Sequence, residues 1–164
     1  MKAVVNTSVL IALGKLGYLR LIRKLFDKLV IAESVFEEIR DSEVFTPIGK
    51  LTDTGFAEVA KSSKRELLNM LSSSLGEGEA ETIALALELE ADVVLLDDLR
   101  ARKTAGRLKV KVMGTLAVLK MLIDMGLTRE KHDDLCEKLV KQGFWIEKEL
   151  CMKILSGSQK TNIV

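Results

Sequence analysis

The chain has 164 residues, of which 48% are hydrophobic, and its formal net charge at pH 7 is +1. This length and apolar content fit one folded domain with its own core and exclude a disordered chain. The near-zero net charge excludes a strongly basic or strongly acidic protein, so any surface that attracts a polyanion has to be local.

Taken in chain order, the hydrophobic patterns alternate between strands and helices. Strands are predicted at residues 2–5, 29–31, 56–60, 91–96 and 110–112. Helices are predicted at 9–13, 18–26, from 34, at 64–71, 78–90, 99–105, 115–124, from 128 and at 147–155, with a loop at 41–55 around the single proline. This alternation predicts a parallel sheet with helices on both faces. We expect one domain over residues 1–155 and a polar tail at 156–164.

The stretch 91–98 is the most informative, because its apolar run ends on two carboxylates, Asp97 and Asp98. Such a run indicates a strand buried on both faces. In open α/β sheets ligands bind just beyond the carboxyl ends of the strands, so both acids lie where chemistry is expected. Asp98 also has a structural role open to it, as the N-cap of the helix that begins at Leu99. Asp97 needs a partner, since an unpaired carboxylate at the end of an apolar strand is costly.

Two further acids lie near predicted buried faces. Glu38 borders the apolar side of its helix, whose start we predict from a capping-box spacing of Ser34 and Glu37. Glu79 lies in the first turn of helix 78–90, where favourable interaction with the helix dipole explains it as well as a site would. If these acids converge with the Asp97–Asp98 pair, their repulsion favours a hard divalent cation with oxygen ligands. Such an ion can activate water for attack on a phosphodiester.

Other titratable residues are expected to be ordinary. Glu81 and Glu88 face away from the apolar stripe of their helix and should be solvated. Cys136 and Cys151 lack CxxC spacing, and no signal-like apolar core or bilayer-length run is found, so we expect free thiols in a cytoplasmic protein. The single histidine, His132, excludes sites built from several histidines and serine-type triads.

In order and spacing these residues resemble the PIN domain family of metal-dependent ribonucleases, over roughly residues 2–126. The family's first strand runs into an Asp-x-Ser segment, which is Asn6-Thr7-Ser8 here, and its later acids match Glu38, Glu79 and Asp97, with Asp98 as a frequent neighbour. The Gly-Glu-Ala-Glu and Leu-Asp-Asp-Leu-Arg-Ala-Arg segments resemble a prokaryotic branch close to VapC-type toxins of toxin–antitoxin pairs.

The resemblance implies a three-layer α/β/α fold with a central, mostly parallel sheet of four or five strands. It implies a Mg²⁺- or Mn²⁺-dependent endoribonuclease that leaves a 5′-phosphate and a 3′-hydroxyl. The implied catalytic residues are Asp97, Glu79, Glu38 and Asp98, and the implied metal ligands are these four with Asn6. A homodimer and an antitoxin partner are implied as well. No membrane association is expected, because no run of apolar residues is long enough to cross a bilayer.

The family's first acid is aspartate, and this chain has Asn6 instead. An amide oxygen can still coordinate a cation, but it carries no charge and cannot accept a proton as a carboxylate does. Metal affinity and water activation should both fall. Asparagine at this position also suits a turn from the strand into the first helix.

A run of basic residues follows the acidic pair: Arg100, Arg102, Lys103, Arg107, Lys109 and Lys111. Lysine and arginine position nucleic acid through its phosphates, so we predict that Arg100, Arg102 and Lys103, with Ser8, contact RNA. A solvated helix face explains the run equally well. Aromatic residues make up only 4% of the chain, so extensive base stacking is not expected.

Two other functions remain open on the sequence alone. Asn6 favours a PIN-like module that binds RNA or a partner with weak or lost catalysis. A phosphoacceptor receiver domain would also place an aspartate at the end of a strand, but it needs an acidic pair after the first strand, where this chain has Asn6-Thr7. A dinucleotide site is disfavoured, because the Gly76-x-Gly78 segment lacks a third glycine at the required place.

Overall fold

The computed structural model describes residues 1–157, which form five strands, nine α-helices and one 3₁₀ turn at Leu21–Lys24. The strands are β1 Lys2–Val5, β2 Lys28–Ala32, β3 Ala57–Ala60, β4 Val93–Leu95 and β5 Val112–Met113. The helices are α1 Thr7–Lys15, α2 Glu33–Glu38, α3 Phe45–Asp53, α4 Arg65–Ser72, α5 Glu77–Glu88, α6 Leu99–Arg107, α7 Thr115–Asp124, α8 His132–Lys141 and α9 Lys148–Leu155. The predicted tail at 156–164 lies, after Gly157, outside the described residues.

The strands form one sheet in the order β3-β2-β1-β4-β5, and every pairing is parallel. The chain moves from β1 to β3 in one direction, and then back from β3 to β4 and on to β5 in the other. Right-handed crossovers therefore place α1 and α5 on opposite faces. The expected three-layer α/β/α fold is confirmed, with five strands, all of them parallel.

The centre of the sheet is fully covered. All residues from Val93 to Leu96 are buried, which confirms a strand covered on both faces. Helix α5 packs across β1, β2 and β4, so nearly all of its residues from Gly78 to Ala86 are buried. Among residues 1–157, no helix combines the length and the apolar character that a membrane span needs.

The burial of α5 overturns the expectation that Glu81 is solvated, since this residue is only 6% exposed. Its carboxylate accepts hydrogen bonds from the backbone N–H of Ser34 at 2.9 Å, the Ser34 hydroxyl at 2.5 Å and the Ser62 N–H at 3.2 Å. The predicted capping box is therefore wrong, because the Ser34 side chain bonds to Glu81 and Glu37 pairs with Arg40. Glu88 is also partnered, by Ser62 and Ser63.

Two helix assignments before β3 differ from the sequence prediction. Residues 41–55 were expected to form a loop, but α3 lies there, with Ile48 and Leu51 buried. Pro47 is its third residue, where a backbone N–H has no partner within the helix in any case, so the proline does not disrupt it. Conversely, the helix predicted at 18–26 is only the short 3₁₀ turn.

The two cysteines are joined, which overturns the expectation of free thiols. Cys136 on α8 and Cys151 on α9 form a disulfide, with their Cα atoms 5.8 Å apart, and both are buried. The six-residue α8–α9 loop, residues 142–147, folds α9 back against α8 and brings the two side chains together. The sequence separation of 15 gave no sign of this pairing.

Tyr18 ties the first part of the chain to the segment before α8. Its hydroxyl lies 2.7 Å from the Thr128 hydroxyl oxygen and donates to Glu130 at 2.8 Å. A helix was expected to begin at Thr128, but this residue makes the contact with Tyr18, and α8 begins later, after Lys131. Burial raises the pKa of Tyr18 from 10 to about 12, although its hydrogen bond with Thr128 works against that shift.

We expect reduction of the disulfide to lower the free energy of unfolding by roughly 2–4 kcal/mol, because the cross-link restricts the conformations of the unfolded chain and its loss removes that restriction. Denaturant unfolding with and without reductant measures this loss. A Cys136→Ala/Cys151→Ala double variant should not respond to reductant. Free thiols titrated in the denatured, unreduced chain would contradict the assignment.

The Tyr18 phenol should ionise near pH 12 in the folded chain, and near its ordinary value of about 10 in denaturant. The folded state then holds this proton more tightly, so the free energy of unfolding should fall as the pH rises from 10 toward 12. Tyr18 is the only tyrosine, so ultraviolet absorbance reports it alone. A folded-state midpoint near 10, or the same alkaline loss of stability in Tyr18→Phe, would refute this account.

Candidate functional site

Beyond the carboxyl ends of β1 and β4 lies a pocket of about 700 Å³. These two strands are neighbours, with Val5 paired to Leu95, and the strand order changes direction between them. This is the position at which open α/β sheets bind ligands. The lining includes Asn6, Ser8, Glu38, Glu79, Asp97 and Asp98. We call this space the carboxylate pocket.

Asp97 is held firmly at the end of β4. Its Oδ1 accepts a hydrogen bond from the Thr115 backbone N–H at 2.7 Å, and its Oδ2 accepts one from the Thr115 hydroxyl at 2.6 Å. Burial raises the pKa of Asp97, while the Thr115 bonds, the charge of Arg102 and a hydrogen bond with Ser8 act in the opposite direction. The carboxylate thus has the partners that its position requires, and its orientation is fixed.

Asn6 lies next to Asp97, at the N-cap position of α1, and is 5% exposed. Its backbone N–H donates to Leu95 at 3.0 Å, which continues the pairing of β1 with β4. Its side chain makes no capping bond, and among the described residues its buried Oδ1 has no hydrogen-bond partner. Leaving a buried carbonyl oxygen unpaired costs about 1–3 kcal/mol. A water or a cation in the pocket would remove this cost.

Glu38 enters the pocket from the end of α2. The Thr7 hydroxyl donates to its Oε2. Its Oε1 lies against the backbone of Gly78, where an added Cβ would come within 2.6 Å of that oxygen. Glycine at position 78 therefore allows the carboxylate to approach the start of α5.

The other two acids each cap a helix. Glu79 accepts a bond from the Gly76 N–H at 3.1 Å, and Asp98 accepts one from the Ala101 N–H at 2.8 Å at the start of α6. The structural role expected for Asp98 is thus confirmed. The pKa of Glu79 is raised, first by burial and then by the charges of Asp98 and Glu38. The charges of Asp98 and Glu38 therefore both act on Glu79, although burial is the larger cause of its raised pKa.

The basic residues divide between the two ends of α6. Arg100 donates to the Ser74 carbonyl at 3.2 Å near the carboxylate pocket, and Arg102 approaches Asp97. Lys103 is exposed on the same helix. Lys109 and Lys111 instead line a separate pocket beside the amino ends of β4 and β5. The six basic residues are therefore not one surface.

The donor set suits a hard cation, because every candidate ligand is an oxygen. The unpaired Oδ1 of Asn6 also fits a ligand in the pocket. In residues 1–157, however, no three side chains of histidine, cysteine, aspartate or glutamate come close enough to hold one ion together. The residues fit a cation that keeps much of its water, and they do not fit a closed cage of protein ligands.

Several residues at the pocket were missed by sequence reasoning. Thr115 and Gly114 follow β5, and an added Cβ at Gly114 would lie 3.0 Å from Asp97 Oδ1. The sequence did contain a signal for them. The predicted strand at β5 would end beside β4, and the helix after β5 begins with Gly114-Thr115. Residues 143–145 reach the pocket from the α8–α9 loop, and no local motif marks them.

Comparison with known proteins places the chain in a family. The DUF3368 family model, described as a PIN domain, matches residues 2–160. No match was found among curated proteins. The matched range extends beyond the resemblance seen by inspection, which stopped near residue 126, and it takes in α8 and α9. A match over most of the chain, together with the all-parallel α/β/α architecture, shows that this protein belongs to the PIN domain family.

Proposed function

We propose that this chain is a Mg²⁺- or Mn²⁺-dependent endoribonuclease. The observation that carries the proposal is the carboxylate pocket, in which four acids and the unpaired Oδ1 of Asn6 meet at the sheet edge. The PIN family supports it, because its fold is of the nuclease type. RNA, as a polyanion, would reach this edge past the basic start of α6.

Asp97 and Asn6 are the proposed direct ligands of the ion, with Glu38, Glu79 and Asp98 acting through its water molecules. What supports a division of this kind is that no three acids in the described part of the chain are close enough to ligate one ion together. Magnesium commonly binds one or two carboxylates and retains several waters. Once bound, such an ion polarises the phosphodiester and makes its bound water more acidic.

The protein's own groups orient the acids and move protons. Thr115, Ser8 and Arg102 hold the Asp97 carboxylate in place. Glu79, with its raised pKa, is suited to accept a proton from the attacking water, because a general base works best when its pKa approaches the working pH. Protonated carboxyls cannot serve as ligands, so cleavage should decline as the pH falls through the raised pKa of Asp97.

Within this proposal the protein acts as a VapC-type toxin, with an antitoxin partner and as a homodimer. The support is the resemblance of its Gly-Glu-Ala-Glu and Leu-Asp-Asp-Leu-Arg-Ala-Arg segments to that branch. Induced expression of the unaltered chain in a bacterial host should then arrest growth, and Asp97→Asn should not.

A second candidate is a PIN-like module that binds RNA or a partner with little catalysis. It is favoured by Asn6, which leaves the pocket without a charge at the position where the family has aspartate. It is favoured also because no three acids among the described residues are close enough to ligate one ion together.

Replacing Asp97 with asparagine should reduce RNA cleavage by more than about 100-fold, because the loss of an outer-shell partner alone typically costs 10- to 100-fold. Chelator should abolish the activity of the unaltered chain, and added Mn²⁺ should restore it. Cleavage of a labelled RNA on denaturing gels measures both effects. Asp124→Asn is the matched control, since its carboxylate pairs with Lys120 on the surface of α7 and should be dispensable. Full cleavage by Asp97→Asn would refute the assignment.

Replacing Asn6 with aspartate should raise Mn²⁺ affinity at least about tenfold. Opposite unit charges about 4 Å apart gain roughly 4 kcal/mol at an effective dielectric constant of 20, and desolvation offsets part of it. Isothermal calorimetry measures the affinity, and Asn6→Ala should show no gain. If the unaltered chain is inert and Asn6→Asp cleaves RNA, the binding-module function is supported. If the unaltered chain already cleaves RNA, that function is excluded.

A further inference from the structure

We infer that Trp145 is a stacking platform for one nucleobase of single-stranded RNA beside the carboxylate pocket. The inference rests on the proposed function and extends it to the substrate's bases. Trp145 lines this pocket together with the acids. Its exposed fraction is 101%, so neither face of the indole is covered.

The exposure of Trp145 is not explained by folding. A tryptophan normally buries 150–250 Å² of surface, and this one buries almost none. The α8–α9 loop that carries it is nevertheless fixed at both ends. The Cys136–Cys151 disulfide joins the two helices, and the Phe144 N–H donates to the Leu139 carbonyl at 3.0 Å. The indole is therefore presented to solvent on a braced loop.

The surroundings of Trp145 favour a nucleobase as its ligand. Leu99, which is 66% exposed, lines the same pocket and offers a second apolar contact. Asp97 and Asn6, the proposed cation ligands, line that pocket too, so a phosphate held there would lie in the same pocket as the indole. Unpaired bases present open faces that stack on aromatic side chains, whereas bases within a duplex are already stacked.

This platform is sequence-tolerant, because every base has a π-face. It also differs from phosphate binding by Arg100 or Lys103, which would position the backbone without contacting a base. The low aromatic content of the chain agrees with one stacked base and not with a row of them.

The test uses the full chain in chelator, where binding is measured without turnover, and in parallel with Mg²⁺, so that the proposed cation is also present. Trp145 is the only tryptophan, and its fluorescence therefore reports this position alone. A short single-stranded oligoribonucleotide should quench it saturably. Trp145→Ala should weaken the binding of the same labelled RNA by roughly 5- to 150-fold, the equivalent of about 1–3 kcal/mol per stacked base. Trp145→Phe, which keeps an aromatic face, should restore most of that affinity.

Leu150→Ala is the matched control, because Leu150 is a 40% exposed apolar residue of α9 on the same disulfide-linked hairpin. It should leave RNA binding unchanged. An abasic strand of equal length and a duplex should give little quenching. The inference would be overturned if the abasic strand quenched as strongly as the base-containing strand, or if Trp145→Ala bound RNA as tightly as the unaltered chain. The exposed indole would then be better explained as a contact for a protein partner. If RNA binds and quenches the Trp145 fluorescence but no metal-dependent cleavage is seen, the proposed ribonuclease function is refuted and the stacking inference still holds.

Discussion

The parallel pairing of β1 with β4 is the constraint on which the candidate site depends. These strands lie 90 residues apart in sequence, yet Val5 pairs with Leu95 and the Asn6 N–H continues the ladder to the Leu95 carbonyl. The pairing fixes Asn6 beside the end of β4 and hence beside Asp97. Helix α5 packs across the same strands and brings Glu79 to this edge, while α2 brings Glu38. A shift in this register would separate Asn6 from Asp97.

Several carboxylates line the pocket, and the surrounding residues reduce the free-energy cost of burying them close together. Thr115 offers Asp97 both a backbone and a hydroxyl donor, and Arg102 supplies opposite charge nearby. Glycine at 78 and 114 leaves room for carboxylate oxygens that a methyl group would crowd. The compensation is incomplete, because the pKa values of Glu79 and Asp97 are both raised. Such residual strain is common where a fold is arranged for binding or chemistry.

Most of the fold could be predicted from the sequence, because buried parallel strands appear as continuous apolar runs and their helices as amphipathic repeats. The same logic found Asp97 and Asp98, since the position of an acid at the end of such a run is informative by itself. The failures arose where long-range packing decides. Glu81 faces Ser34 and Ser62 across the layer, α3 forms despite Pro47, and the cysteines meet only after α9 folds back. Trp145 was missed for the same reason, because its loop reaches the pocket through tertiary packing.

The helix caps at the sheet edge bear on the order in which this protein is assembled. Asp98 satisfies the first turn of α6, Glu79 that of α5, and Asp97 that of α7 through Thr115. Each of these three carboxylates therefore accepts a hydrogen bond at a helix start, and this bond needs no ion. The fold can therefore form before any ion binds, whereas small zinc modules fold only when their metal is bound. A chain built in this way would stay folded, and inactive, in a cell that is short of the proposed ion.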